Sequence, residues 1–187
     1  GFNGIDDILD PCHQKGILGD MESGHATLEE FRAYVLERSE KGHQPEEVDE
    51  ALGKILVGIT PEKVDLLKRL SQKYDLYMLS NNNPICMPHS RRLFEQAGAP
   101  LDKLFRKCFL SHEMKALKPS ESFYKAVIEQ IGLPSEQMLF IDDSQRNVDG
   151  SIEAGLPAVY YEPGTDLGRV LADALGDSSI LVQEVAE

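Results

Sequence analysis

The apolar run Met138-Leu139-Phe140-Ile141 stops on two adjacent carboxylates, Asp142 and Asp143, and a polar segment, Ser144-Gln145-Arg146-Asn147, follows at once. Two acids side by side at a strand end repel each other and lose water, a cost that a bound cation removes. In parallel α/β sheets ligands sit just beyond the carboxyl ends of the strands, so the pair reads as a divalent-metal site. Asn147 follows Asp143 by one helical turn, on a helix beginning near Ser144, and projects back toward the same mouth. Two other segments carry polar groups of matching use. Leu79-Ser80-Asn81-Asn82-Asn83-Pro84 offers a hydroxyl and backbone amides at a strand-to-helix turn, a cradle for phosphate oxygens. In Lys115-Ala116-Leu117-Lys118-Pro119 the proline holds Lys118 extended, where its ammonium can neutralise a phosphoryl oxygen and anchor a carboxylate. Each has a commonplace alternative: an Asn-rich turn that caps a helix, a solvated lysine, an aspartate that serves as a cap.

The elements that position these residues fall into two parts. From about residue 5 to 58 the pattern is helical. Ile5, Ile8 and Leu9 form a short amphipathic piece stopped by Pro11; Thr27 to Glu30 has the spacing of a capping box; Pro45 opens a helix with Val48, Ala51, Leu52, Ile55 and Leu56 on its apolar side, ended by Gly58. From Thr60 helices and strands alternate. Helices are expected from Pro61, over Ser90–Ala97, Ser122–Ile131, Gln145–Ala154 and Arg169–Leu175; strands over Tyr74–Leu79, Cys108–Leu110, Leu139–Ile141 and Ala158–Tyr161. Ile180–Val182 is either an edge strand or a tail. The order predicts a mostly parallel sheet with helices on both faces. The division is residues 1–59 as an all-helical subdomain and 60–187 as an α/β core of Rossmann-like type.

The composition narrows the partners. A chain of 187 residues with net charge −13 is a poor non-specific ligand for nucleic acid or anionic membrane. No apolar run is long enough to span a bilayer. Cys12, Cys86 and Cys108 are odd in number and lack a Cys-x-x-Cys pair, which argues for a reducing, cytoplasmic setting. The five histidines show no zinc-type spacing.

Ser80, then Lys118, then Asp142-Asp143, each near a strand end and in this order, resembles the haloacid dehalogenase superfamily of hydrolases. The fuller strings Tyr77-Met78-Leu79-Ser80-Asn81-Asn82-Asn83-Pro84, Lys118-Pro119 and Leu139-Phe140-Ile141-Asp142-Asp143-Ser144-Gln145-Arg146-Asn147-Val148 with Ala154-Gly155 are similar to one branch of it. That branch holds small bacterial sugar-phosphate phosphatases and the amino-terminal phosphatase domain of soluble epoxide hydrolases. It carries a helical cap after the first strand, which Leu9-Asp10-Pro11 and Gly24 to Phe31 resemble. The likeness spans about Ile5 to Tyr161.

The resemblance implies a magnesium-dependent phosphatase of a small phosphorylated metabolite, acting through an aspartyl phosphate. Ser80 and the Asn81 amide would hold a phosphoryl oxygen, Lys118 would offset charge on nucleophile and substrate, Asp143 and Asp142 would hold Mg2+, and Asn147 would support them. Ser80 and Lys118 are thus the expected catalytic residues within this sequence. His13, Gln14, Lys15 and Glu22 are candidates to face the site from the cap. The family's Asp-x-Asp strand, source of the nucleophile, has no match here: neither Asp6-Asp7 nor Asp20 follows a strand-like run. The expectation is a further amino-terminal segment of roughly 20–30 residues, the size of a strand, a loop and part of a helix. Without it the chain should be inactive and its sheet should keep two unpaired inner edges. Two other readings stay open: a 2-haloacid dehalogenase, which works without magnesium, and a catalytically silent binding or regulatory protein. A response-regulator receiver domain has similar residues in the reverse order and no helical cap.

Overall fold

Thr27 and Glu30 satisfy each other's unpaired groups. In the computed structural model, which describes residues 15–40 and 42–181, Glu30 N donates to Thr27 Oγ1 at 3.2 Å and Thr27 N donates to Glu30 Oε2 at 2.8 Å. This is the capping box that the spacing predicts, and helix α2, Leu28–Arg38, follows it. Helix α1, Gly16–Glu22, precedes it, and α3, Pro45–Gly53, starts on its proline. Leu18, Met21, Phe31, Val35 and Val48 bury their side chains in one cluster that also takes in Ile85 from the second half of the chain. The early piece containing Ile5, Ile8 and Leu9, together with Cys12, His13 and Gln14, lies outside the described residues.

The predicted helix from Pro45 is shorter than expected. It ends at Gly53, and Ile55 and Val57 stand 57% and 96% exposed. Periodicity assigned Ile55 to the apolar side, but the cluster offers partner surface only as far as Val48 and Leu52. Ala51 is likewise exposed.

The second half runs α4 (Pro61–Ser71), β1 (Leu76–Ser80), α5 (Cys86–Gln96), α6 (Leu101–Leu104), β2 (Phe105–Leu110), α7 (Ser111–Met114), α8 (Glu121–Ile131), β3 (Phe140–Asp142), α9 (Gln145–Glu153), β4 (Ala158–Tyr160) and α10 (Leu167–Leu175). The alternation is as expected; several bounds are not. Helix α5 begins at Cys86 rather than Ser90, because Asn83 Oδ1 accepts from the Ile85 and Cys86 amides at 3.1 and 2.8 Å and so provides the cap. Strand β2 begins at Phe105 rather than Cys108, drawn out by pairing with β1 from Leu76 onward. Ile180 sits in a 3₁₀ turn, Ser178–Leu181, and not in an edge strand; Val182 lies outside the described residues.

Both strand pairs are parallel: β1 with β2, from Leu76↔Phe105 to Ser80↔Leu110, and β3 with β4, from Phe140↔Ala158 to Asp142↔Tyr160. Among the described residues they form two separate two-stranded sheets, with no ladder between β1 and β3. Side chains join them instead. Tyr77 and Leu79 share a cluster with Phe109, Phe123, Tyr124, Val127 and Phe140. Leu76 and Ile141 share another with Leu66, Leu70, Leu171 and Ala172. Alternation thus sends one face of β1, β2 and β3 to α8, and the other to α4 and α10 at Leu76 and Ile141 and to α5 and α6 at Met78, Cys108 and Leu110. This is the α/β layering with helices on both faces that the element order implies. Among the described residues no helix is long and apolar enough to cross a membrane.

Candidate active site

Ser80 ends β1 and Asp142 ends β3, and the loop after α7 brings Lys118 to both neighbourhoods. Lys118 Nζ donates to Asp142 Oδ2 at 2.6 Å, with the two side chains only 10% and 8% exposed. Asn81 clasps the lysine backbone: Lys118 N donates to Asn81 Oδ1 at 2.8 Å and Asn81 Nδ2 donates to Lys118 O at 3.0 Å. The Lys118–Pro119 peptide is cis. Three segments far apart in sequence therefore meet at one place.

A buried ion pair holds only when its remaining hydrogen-bonding capacity is also met. Asp142 meets that condition. Its Oδ1 accepts from Asn147 Nδ2 and from the Ser144 amide, each at 2.9 Å. Asn147 is in turn held from behind, because Tyr124 Oη donates to its carbonyl at 2.8 Å. Burial, and secondarily the Asp142 charge, push the Tyr124 hydroxyl above its ordinary range. Changing Tyr124 to Phe should remove this bond at a cost of about 1 kcal/mol, read by urea denaturation, and slow turnover a few fold through a looser Asn147. Unchanged stability would overturn the tether.

Helix α9 lies directly on the lysine loop. A Cβ at Gly150 would stand 2.6 Å from Pro119 O and 2.8 Å from Pro119 Cβ. Backbone oxygen cannot yield as a flexible side chain would. Gly150→Ala is therefore expected to destabilise the protein by about 1–3 kcal/mol despite alanine's better helix propensity, measured as a lowered melting temperature. A rise in melting temperature would sink this account of the contact.

Asp143 differs from its neighbour. It is exposed, and among the described residues no hydrogen bond or ion pair engages it. A hard cation such as magnesium takes oxygen ligands and leaves several positions to water and substrate. The Asp143 carboxylate fits that need, whereas both Asp142 oxygens already accept hydrogen bonds. Among the described residues no three His, Cys, Asp or Glu side chains gather into a metal-binding group.

Among the described residues Ser80 Oγ makes only a long contact, 3.3 Å, to Asn81 O and is able to turn toward a ligand. Sequence reasoning did not pick out the groups that brace its loop. Asn82 N donates to Ser111 Oγ at 2.9 Å, Ser111 Oγ donates to Asn82 O at 3.1 Å, and His112 Nδ1 lies 2.9 Å from the same carbonyl. Asn82, Asn83 and Ser111 are all buried. Three consecutive asparagines after a strand were the available signal, since buried amides demand partners. Of the four residues expected to face the site from the helical segment, Glu22 reaches the core: it accepts from Asn83 Nδ2 at 3.2 Å. Lys15 is exposed at the start of α1, and His13 and Gln14 lie outside the described residues.

A parallel α/β core with a helical segment before it, and Ser, Lys and paired Asp gathered at its strand ends, defines a hydrolase class that the comparisons identify. Residues 14–155 match the haloacid dehalogenase-like hydrolases, and the chain belongs to that family. It is 28% identical over 171 residues to D-ribitol-5-phosphate phosphatase of Bacteroides thetaiotaomicron, covering 89% of this chain and 81% of that protein. A haloacid dehalogenase family enzyme of the same organism, an aspartate-to-alanine variant in complex with magnesium and inorganic phosphate, superposes with a TM-score of 0.84. It is 32% identical, with 91% of this chain and 85% of that one covered. A predicted hydrolase of this family from Porphyromonas gingivalis is also 32% identical, with a TM-score of 0.81 over 92% of this chain and 83% of that one.

Proposed function

We propose that the protein is a magnesium-dependent phosphatase of small phosphorylated metabolites that works through an aspartyl phosphate. The observation that carries this reading is the buried Lys118–Asp142 pair with an unengaged Asp143 beside it. Lys118 sits where it can offset charge on an attacking carboxylate and on the transferring phosphoryl group, and Asp142 holds it there. Ser80 and the Asn81 amide bind a phosphoryl oxygen. Asp143 would hold the metal, Asp142 would contact it directly or through water, and Asn147 holds Asp142 in place. Magnesium, when bound, neutralises phosphoryl charge and orients the group for in-line transfer.

The nucleophile in this reading is an aspartate carried on a strand that lies between β1 and β3. Support comes from the two half-sheets, whose facing strands share side-chain clusters but, among the described residues, no ladder. Residues 1–59 act as a cap that closes over the site and selects the leaving group. Similarity to a ribitol-phosphate phosphatase, and over 102 residues to a pyrimidine 5'-nucleotidase of Streptococcus pneumoniae, favours a sugar, polyol or nucleoside monophosphate. A cytoplasmic setting suits such substrates and the free thiols of Cys86 and Cys108.

The test is phosphate release by the full-length protein from p-nitrophenyl phosphate and a panel of sugar and polyol phosphates, with magnesium and with EDTA. Magnesium-dependent turnover is expected. Metal-independent release of halide from 2-haloacids, or no turnover of any ester, would overturn the reading.

A further inference from the structure

We propose that Glu22 is a specificity-determining residue whose carboxyl group, set at the seam between the helical segment and the loop after β1, recognises hydroxyl groups on the leaving portion of the phosphate ester. The proposal rests on the phosphatase reading above and names the substrate class for it.

Glu22 is the last residue of α1. Its partner Asn83 is 2% exposed and cannot be turned over, because Asn83 Oδ1 is held by the Ile85 and Cys86 amides. The Asn83 amide nitrogen therefore has to point at Glu22, and meets Oε1 at 3.2 Å. Asn83 belongs to the same short loop as Ser80 and Asn81, and that loop is braced through Asn82 by Ser111 and His112. The helical segment presses on this brace as well: a Cβ at Gly24 would stand 2.4 Å from His112 O. Glu22 is thus placed relative to the phosphoryl-binding loop by rigid, buried contacts.

One Glu22 oxygen is held, while the other has no hydrogen bond or ion pair among the described residues, and no cation among them contacts the group. Burial pushes its carboxyl above the usual range, with the Asn83 bond opposing. A partly desolvated carboxyl with a free oxygen gains by accepting from a substrate hydroxyl. It penalises a second phosphate or carboxylate at the same place. The class selected is the monophosphate of a neutral, polyhydroxylated alcohol.

The test compares wild-type full-length protein with Glu22→Ala and Glu22→Gln on two matched esters, a pentitol 5-phosphate and n-pentyl phosphate, with p-nitrophenyl phosphate as a third. Glu22→Ala should raise KM for the pentitol ester by roughly tenfold or more beyond any rise on the other two, which share only the loss of the Asn83 bond. Glu22→Gln, which keeps an acceptor oxygen, should recover part of the pentitol KM. Equal losses on all three esters, or no change on the pentitol ester, would overturn the role of Glu22 while leaving the phosphatase reading intact. A wild type that turns over none of the esters would overturn both together.

Discussion

Replacing Lys118 with methionine lowers the stability of the protein by about 3–5 kcal/mol, because the Asp142 carboxylate stays buried after its cation is gone. The size follows from the environment: at 8% exposure Asp142 cannot recover water, and its other bonds, from Asn147 and Ser144, keep it in place. Phosphate release falls by roughly 10²–10³-fold, the usual consequence of removing a preorganised charge from the transferring group. The double variant Lys118→Met with Asp142→Asn separates the two effects. It removes both charges, and the introduced amide keeps an oxygen for the two donors, so most of the lost stability returns while activity does not. Urea denaturation of the single and double variants, beside steady-state phosphate release, makes the comparison. A single variant as stable as wild type would show that the two side chains are not a buried, interdependent unit.

Asp143→Asn produces the opposite pattern. The side chain is exposed and unengaged, so the change in stability stays within about 0.5 kcal/mol. Turnover in saturating magnesium falls on the order of 10³-fold, since a metal that stabilises the transition state by several kcal/mol loses a charged ligand. Magnesium binding, followed by calorimetry, weakens in parallel. Full activity in this variant would remove Asp143 from the metal site, and a large loss of stability would contradict its exposure. In the proposed mechanism the two neighbouring aspartates divide the work, one supporting the lysine and the other left to the cation, and the pair of variants tests that division directly.

Much of the site was legible because its chemistry is local. An apolar run ending in Asp142-Asp143, a lysine before a proline and a hydroxyl at a strand end each announce themselves within a few residues. Asn147 was found the same way, by helical spacing from Asp143. The brace around Asn82 and Asn83 was not, because its partners Ser111 and His112 come from the far end of β2, and Tyr124 looked like any core aromatic. Gly150 carried no local sign at all; its need for hydrogen at Cα comes from Pro119, which reaches it through space. The over-long helix from Pro45 has the same origin, since periodicity records which side chains are apolar and not whether a surface waits for them.

The amino-acid order by itself determined the layering, the strand ends at which polar groups collect and the order Ser80, Lys118, Asp142-Asp143, because propensity, capping and periodicity act over one or two helical turns. Only the tertiary structure decided that Lys118 pairs with Asp142 rather than Asp143, that Asn81 clasps the lysine backbone, and that Glu22 leans on Asn83. These choices depend on which buried groups can reach one another, and burial is a property of the packed molecule, in which an unpaired polar group costs more than any local preference can offset.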